Sequence, residues 1–249
     1  MCITTEEEME GMRAAGAVVA LVLAALKALV RPGVTTGELD AAAARLIREH
    51  GAQSAPVLVY NFPGAVCISV NDEIVHGIPG QRALEEGDLV KLDVTLEKDG
   101  FMADAAVTVP VGEVSATARR LAACAEHAFR EAMQVARAGQ RVFEIGVVVE
   151  REVRRQGFSV VRDLCGHGIG RSIHEKPSVP NFFDPNAHER LTEGLVIAVE
   201  PIIAAGSGRS LLARDGWTYK TADHKLAAHF EHTIVVTSSE PIILTAAAA

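Results

Sequence analysis

No lysine- or arginine-rich tract runs through the 249 residues, and 32 acidic against 24 basic side chains leave a net charge of −8. A protein that neutralises phosphates needs such a tract, so a nucleic-acid partner is excluded. Four cysteines, Cys2, Cys67, Cys124 and Cys165, are scattered with no CxxC pair. That excludes a disulfide framework and a structural zinc site, and fits reduced thiols in a cytoplasmic protein. Aromatic residues make up only 4% of the chain, which singles out its one tryptophan, Trp217. No Pro/Ser/Gly-rich linker divides the chain, and only the alanine tail at 246–249 is of low complexity. One domain spanning 1–249 is expected, long enough to bury about three quarters of its unfolded surface.

A single apolar run, residues 14–30, could suggest a membrane span. It carries Lys27 and is preceded by Glu6, Glu7, Glu8 and Glu10. A signal peptide has positive charge on that flank, so a buried helix is expected and no membrane partner. Thr5 to Glu8 reads as a capping box that opens it.

What is present is a repeat. RPGVTTGELDAAAARLIREHG (31–51) resembles RAGQRVFEIGVVVEREVRRQG (137–157). Each predicts an Arg-x-Gly turn, an amphipathic helix and a terminating glycine, with an apolar helix before it. EGDLVKLD and EGLVIAVE echo each other too, with Asp93 six residues after Gly87 and Glu200 six after Gly194. HGI occurs twice, at His76 and His167. Reuse of one packing unit would account for the helices, but the acids also occupy equivalent strand positions. The expected fold class is α/β (α+β), in two pseudo-two-fold halves at about 5–110 and 111–245. Their antiparallel strands form one curved sheet with the helices on its outer face.

In GDLVKLDVTLEKDGFMADAAVTV (87–109), KDG marks a hairpin turn between two β-type runs. A Lys98-Asp99 loop sets Asp93 directly opposite Asp104, whereas an Asp99-Gly100 loop makes them diagonal neighbours. Either register places the two carboxylates on one face with Cβ atoms about 5 to 8 Å apart. Like charges so close destabilise a sheet unless a proton or a cation sits between them. Met102 and Ala106 flank Asp104 on that face, against a solvated exterior. His167 in the glycine-rich CGHGIGRSIHEKP, Glu200 closing GLVIAVE, and Glu231 before a strand at 234–237 complete a set of four acids and one imidazole. Singly each has an ordinary structural explanation. Together they suit two divalent ions that share carboxylates, acidify a water and polarise a carbonyl, as amide hydrolysis requires.

The ordered set Asp93, Asp104, His167, Glu200 and Glu231, with the flanks CISVNDEIVHGIP and DGWTYKTADHKLAAHFEHTIVVT, resembles the methionine aminopeptidases over about residues 5–245. The 31 residues from Glu200 to Glu231 leave no room for the helical insertion of the type II enzymes. With no N-terminal zinc-binding extension, the chain is similar to the short bacterial type I form. The resemblance implies the pita-bread fold and removal of N-terminal methionine, with a small second residue preferred. Asp93 would hold one metal, His167 and Glu200 the second, and Asp104 and Glu231 both. The ions would be cobalt, manganese, iron(II) or zinc, the sequence leaving the choice open. Glu200 would shuttle protons, His174 stabilise the oxyanion, and His76 contact the scissile amide nitrogen or assist the leaving group. Tyr60, Phe62, Cys67, Ile173 and Trp217 would line the methionine pocket, with Ile173 where the family often has phenylalanine and Phe62 where it often has tyrosine. The implied partners are peptide or nascent-chain N-termini, with the ribosome as a candidate contact, for a cytoplasmic monomer. The competing functions are a prolidase or aminopeptidase P, a non-catalytic binding module of the same fold, and a hydrolase using Cys165. The extra N-terminal domain usual in the first is not seen, the second typically loses ligands, and the third lacks an orienting acid.

Overall fold

A computed structural model describes residues 1–246, and the last three alanines of the low-complexity tail lie outside the described residues. The first half runs α1 (Glu6–Leu29), α2 (Thr36–Glu49), β1 (Gln53–Ser54), α3 (Ala55–Tyr60), β2 (Cys67–Val70), β3 (Glu73–Val75), β4 (Leu89–Lys98) and β5 (Phe101–Pro110). The second begins α4 (Ala116–Met133), α5 (Val142–Arg155), β6 (Ser159–Val160), β7 (Cys165–Gly168), β8 (Glu175–Pro180) and β9 (Val196–Val199). It ends β10 (Ile202–Ala204), β11 (Ser210–Leu212), β12 (Tyr219–Thr221), β13 (Ala227–His229), β14 (Glu231–Val235) and β15 (Ile242–Ile243).

Helix α1 begins where the acidic cluster stands, because Thr5 caps it by accepting from the Glu8 amide. The expected capping box is not completed. The Glu8 carboxylate bonds instead to the Thr4 amide and hydroxyl, one residue before the cap. By length and composition α1 could cross a membrane. In the fold, Met12, Ala15, Val19, Val22 and Leu26 are buried against β4 and β5.

The repeat is real at the level of elements. α2 and α5 are each 14 residues long and stop at Gly51 (φ 64) and Gly157 (φ 83). The nine-stranded antiparallel sheet has the order β1-β4-β5-β14-β9-β7-β8, with β2 added to β4 and β15 to β14. Its two halves meet between β5 and β14, with Glu231 opposite Ala106. Thus β4-β5 of the first half is mirrored across the seam by β9-β14 of the second. Strand β14 starts at Glu231, three residues earlier than the strand expected at 234–237. The acid is part of the ladder and not a flank to it.

The hairpin settles its own register. Lys98 pairs with Phe101, so the loop is Asp99-Gly100, and both residues have positive φ (51 and 82). That is the primed turn whose twist matches the strands. Asp93 then faces Ala106, and Thr95 faces Asp104, leaving the two aspartates diagonal. Period-two alternation sends Leu92, Val94 and Leu96 to the helix-covered face and Lys91, Asp93 and Thr95 to the other.

Packing of α5 onto the sheet depends on a residue without a side chain. A Cβ at Gly146 would collide with the carbonyl oxygens of Phe182 and Pro180, whereas one at Gly157 meets nothing. Gly157→Ala is expected to cost about 1 kcal/mol from its left-handed backbone alone. Gly146→Ala should cost more, about 1–3 kcal/mol, because α5 must move off the sheet. Thermal unfolding of the two variants checks the order, and an equal loss would refute the close-packing account.

Candidate metal centre

The seam stacks the acids in two neighbouring rows on one face. Asp93, Ala106 and Glu231 form one row across β4, β5 and β14. Glu200 joins it, because it follows Val199, the partner of His232. Thr95 and Asp104 lie in the second row, which reaches His167 through Thr233 and Ala198. Two threonine hydroxyls stitch the seam. Thr233 Oγ1 accepts from the Asp104 amide at 2.9 Å and donates to the Asp104 carbonyl at 2.8 Å. Thr108 Oγ1 does the same for His229, at 2.8 Å both ways. These clamps hold the backbone of the residues that face the site.

Asp104, His167, Glu200 and Glu231 are buried, and Asp93 is partly open to a cavity. His167 directs Nδ1 to the Gly168 carbonyl at 2.9 Å, so its Nε2, 3.6 Å from Glu200 Oε1, faces the acids. Asn181 donates to the Glu200 carbonyl at 2.8 Å. Burial and the Asp104 charge push the Asp93 carboxyl from 3.8 up to about 8. Burial, then neighbouring acids, lifts Asp104, Glu200 and Glu231 well above the usual carboxylate range. Burial likewise pushes His76, His167 and His229 down to about 4, so the imidazoles are neutral.

Asp104 Oδ1, Glu231 Oε1 and both nitrogens of His229 are buried without any hydrogen-bond partner. Four crowded carboxylates beside neutral imidazoles and unpartnered donor atoms fit a divalent cation. Two overlapping groups, Asp104/His167/Glu231 and Glu200/His229/Glu231, each bring their donor atoms within 4.8 Å of one another.

Every other expected site residue reaches the same cavity of about 310 Å³. His76 enters from the end of β3 with φ 57, a strained conformation for a residue with a side chain. Tyr60 hydrogen-bonds His174 Nδ1 at 2.7 Å, and the His174 ring stands against His167 at 4.3 Å. Phe62 meets Trp217 edge to face at 5.2 Å, with Cys67 and Ile173 buried nearby on the cavity wall. Cys165 is at the cavity too, and all four cysteines are free. The residue missed in the sequence is His229. Its signal was the spacing in HFE: two residues before Glu231 on an extended run, it must share that acid's face.

The raised carboxyls have a stability consequence whose sign follows from linkage. Their folded pKa values exceed the unfolded ones, so in the metal-free protein this contribution is present below about pH 4 and lost as pH rises through about 8 for Asp93. Added divalent metal should raise the unfolding temperature more at about pH 8.5 than at about pH 6, because protons compete for the carboxylates. A pH-independent increment in thermal scans of chelated and reloaded protein would contradict this.

The model of metallopeptidase family M24 matches residues 10–238. The chain is 45% identical over 247 residues, 98% of this chain and 99% of the other, to "Methionine aminopeptidase 2" of Bacillus subtilis (strain 168). It superposes with a TM-score of 0.94 on the crystal structure of methionine aminopeptidase from Rickettsia prowazekii, at 39% identity, covering 98% of this chain and 100% of that one. It also superposes on the prolidase from Pyrococcus furiosus with a TM-score of 0.81. At 22% identity, over 100% of this chain and 66% of that one, this shows a shared fold only.

Proposed function

The chain belongs to metallopeptidase family M24, and on that footing we propose that this cavity hydrolyses the first peptide bond of substrates beginning with methionine. The protein is a metal-dependent aminopeptidase of pita-bread fold that acts on peptide and protein N-termini. One observation supports the reading most directly: Asp93, Asp104, His167, Glu200 and Glu231 converge on one cavity that apolar Phe62, Ile173 and Trp217 also line.

Asp93 would hold one ion and His167 and Glu200 a second, with Asp104 and Glu231 available to both. Bound divalent metal, whether cobalt, manganese, iron(II) or zinc, supplies Lewis acidity toward a water and a carbonyl. Glu200 takes the proton of the attacking water and returns one to the departing amine. Tyr60 fixes His174 through Nδ1 at 2.7 Å, leaving Nε2 to stabilise the oxyanion. His76 contacts the scissile amide nitrogen. Phe62, Trp217, Cys67 and Ile173 receive the thioether side chain, a soft group suited to ring edges. About 310 Å³ is at the small end of ligand pockets, which favours a small second residue. The finer reading is of a type I enzyme, a cytoplasmic monomer trimming nascent chains as they leave the ribosome. The prolidase alternative has only the fold in its favour, since the relatives that share far more of the sequence carry the methionine aminopeptidase name.

Purified protein should release methionine from Met-Ala peptides only when divalent metal is present, and full activity after exhaustive chelation would overturn the mechanism. Glu200→Gln should fold yet lose kcat by about 10²-fold or more; unchanged turnover removes its proton role. Trp217→Ala should raise KM about tenfold with a smaller change in kcat, by loss of apolar contact. A kcat effect alone would place Trp217 outside the methionine pocket.

A further inference from the structure

His229 takes no part in the roles assigned above, yet it is only 2% exposed and neither ring nitrogen has a hydrogen-bond partner. Buried His167, by contrast, spends Nδ1 on the Gly168 carbonyl. His229 Nε2 lies 3.2 Å from Glu231 Oε2 and 3.7 Å from Glu200 Oε2. The shorter of these is within hydrogen-bond reach, but the ring is not aligned to make the bond. Two donor atoms that each sit about 2.1 Å from one ion are separated by roughly 3.0 to 3.4 Å, depending on coordination geometry. The 3.2 Å separation from Glu231 Oε2 falls within that range, and no hydrogen bond accounts for it.

The surroundings agree. Glu200 turns one oxygen to each histidine, Oε1 to His167 Nε2 at 3.6 Å and Oε2 to His229 Nε2 at 3.7 Å. The two candidate groups share Glu231 and contain one histidine apiece. The Thr108 hydroxyl clamps both backbone groups of His229, so the imidazole projects from a fixed point on the seam.

We infer that His229 is a further metal ligand, supplying Nε2 beside Glu231, the carboxylate common to both candidate groups. The inference rests on the metal-dependent reading above. Asp104/His167/Glu231 and Glu200/His229/Glu231 then supply one imidazole each to the centre. A nitrogen donor moves that position away from hard, oxygen-preferring ions such as manganese and toward cobalt, iron(II) or zinc.

The test is a Co²⁺ titration of metal-free protein, followed by calorimetry and visible absorption, on the wild type, His229→Gln and His229→Ala. His232→Gln serves as control, since His232 neighbours Glu231 but bonds Thr245 Oγ1 at 2.8 Å. Even an outer partner of a metal-binding imidazole is worth about tenfold in affinity. Both His229 variants should therefore weaken one Co²⁺ binding event at least that much and alter the cobalt absorption, with Mn²⁺ binding changed less. The control should match the wild type. Superimposable isotherms and spectra for wild type and His229→Gln would overturn the inference. Should the variants fold poorly, wild-type protein loaded with ¹¹³Cd and labelled at histidine nitrogen decides: two coupled imidazoles support the inference and one refutes it. Methionine release by wild type together with a His229-independent cobalt spectrum would sink this inference alone. A His229-dependent spectrum without any methionine release would sink the proposed function instead.

Discussion

Four carboxylates pressed together on the inner face of one sheet are the constraint around which this fold is arranged. Asp93, Asp104, Glu200 and Glu231 approach from strands on both sides of the β5–β14 seam. Burial raises every one of them, and each is raised further by the charge of another. Isolated buried charges of one sign would be expelled to solvent or neutralised by protons. Retaining them as ligands requires that the backbone hold them where a cation can replace those protons. The threonine clamps of Thr233 and Thr108 do this at the points where Asp104 and His229 project.

The duplication explains why the acids come in symmetric positions. A β-strand alternates faces with period two, so an acid at the same place in each half lands on the same face once the halves join edge to edge. Helices then cover only the opposite face, where Leu92, Val94, Leu96, Ala103 and Ala105 form a continuous apolar surface against α1. The inner face is left to line the cavity. The carboxylates line it together with Phe62 and Trp217, whose rings meet edge to face. One sheet thus separates stabilising burial from reactive chemistry by strand alternation alone.

Much of this was legible because it is local. The turn residues Asp99 and Gly100, the stops at Gly51 and Gly157, and the acid six residues beyond each Glu-Gly pair are short-range signals. The incomplete capping box at Glu8 and the early start of β14 at Glu231 show where short-range rules fail. Thr4 offered the carboxylate a nearer amide, and pairing with β5 extended a strand that its own propensity would begin later. In the sequence His229 is one histidine among nine, and little singles it out until its neighbours across the seam are known.

The sequence by itself determined the repeat, the alternation, the turn chemistry and the list of acids that could not all be surface residues, since these depend on neighbours a few positions apart. Only the tertiary structure decided the diagonal placement of Asp93 and Asp104, the opposition of Glu231 to Ala106, and the approach of His229 to two glutamates. Those are cross-strand relations between residues far apart in the chain. Register is fixed by the sum of ladder bonds and side-chain clamps over the whole sheet, and no single segment contains that sum.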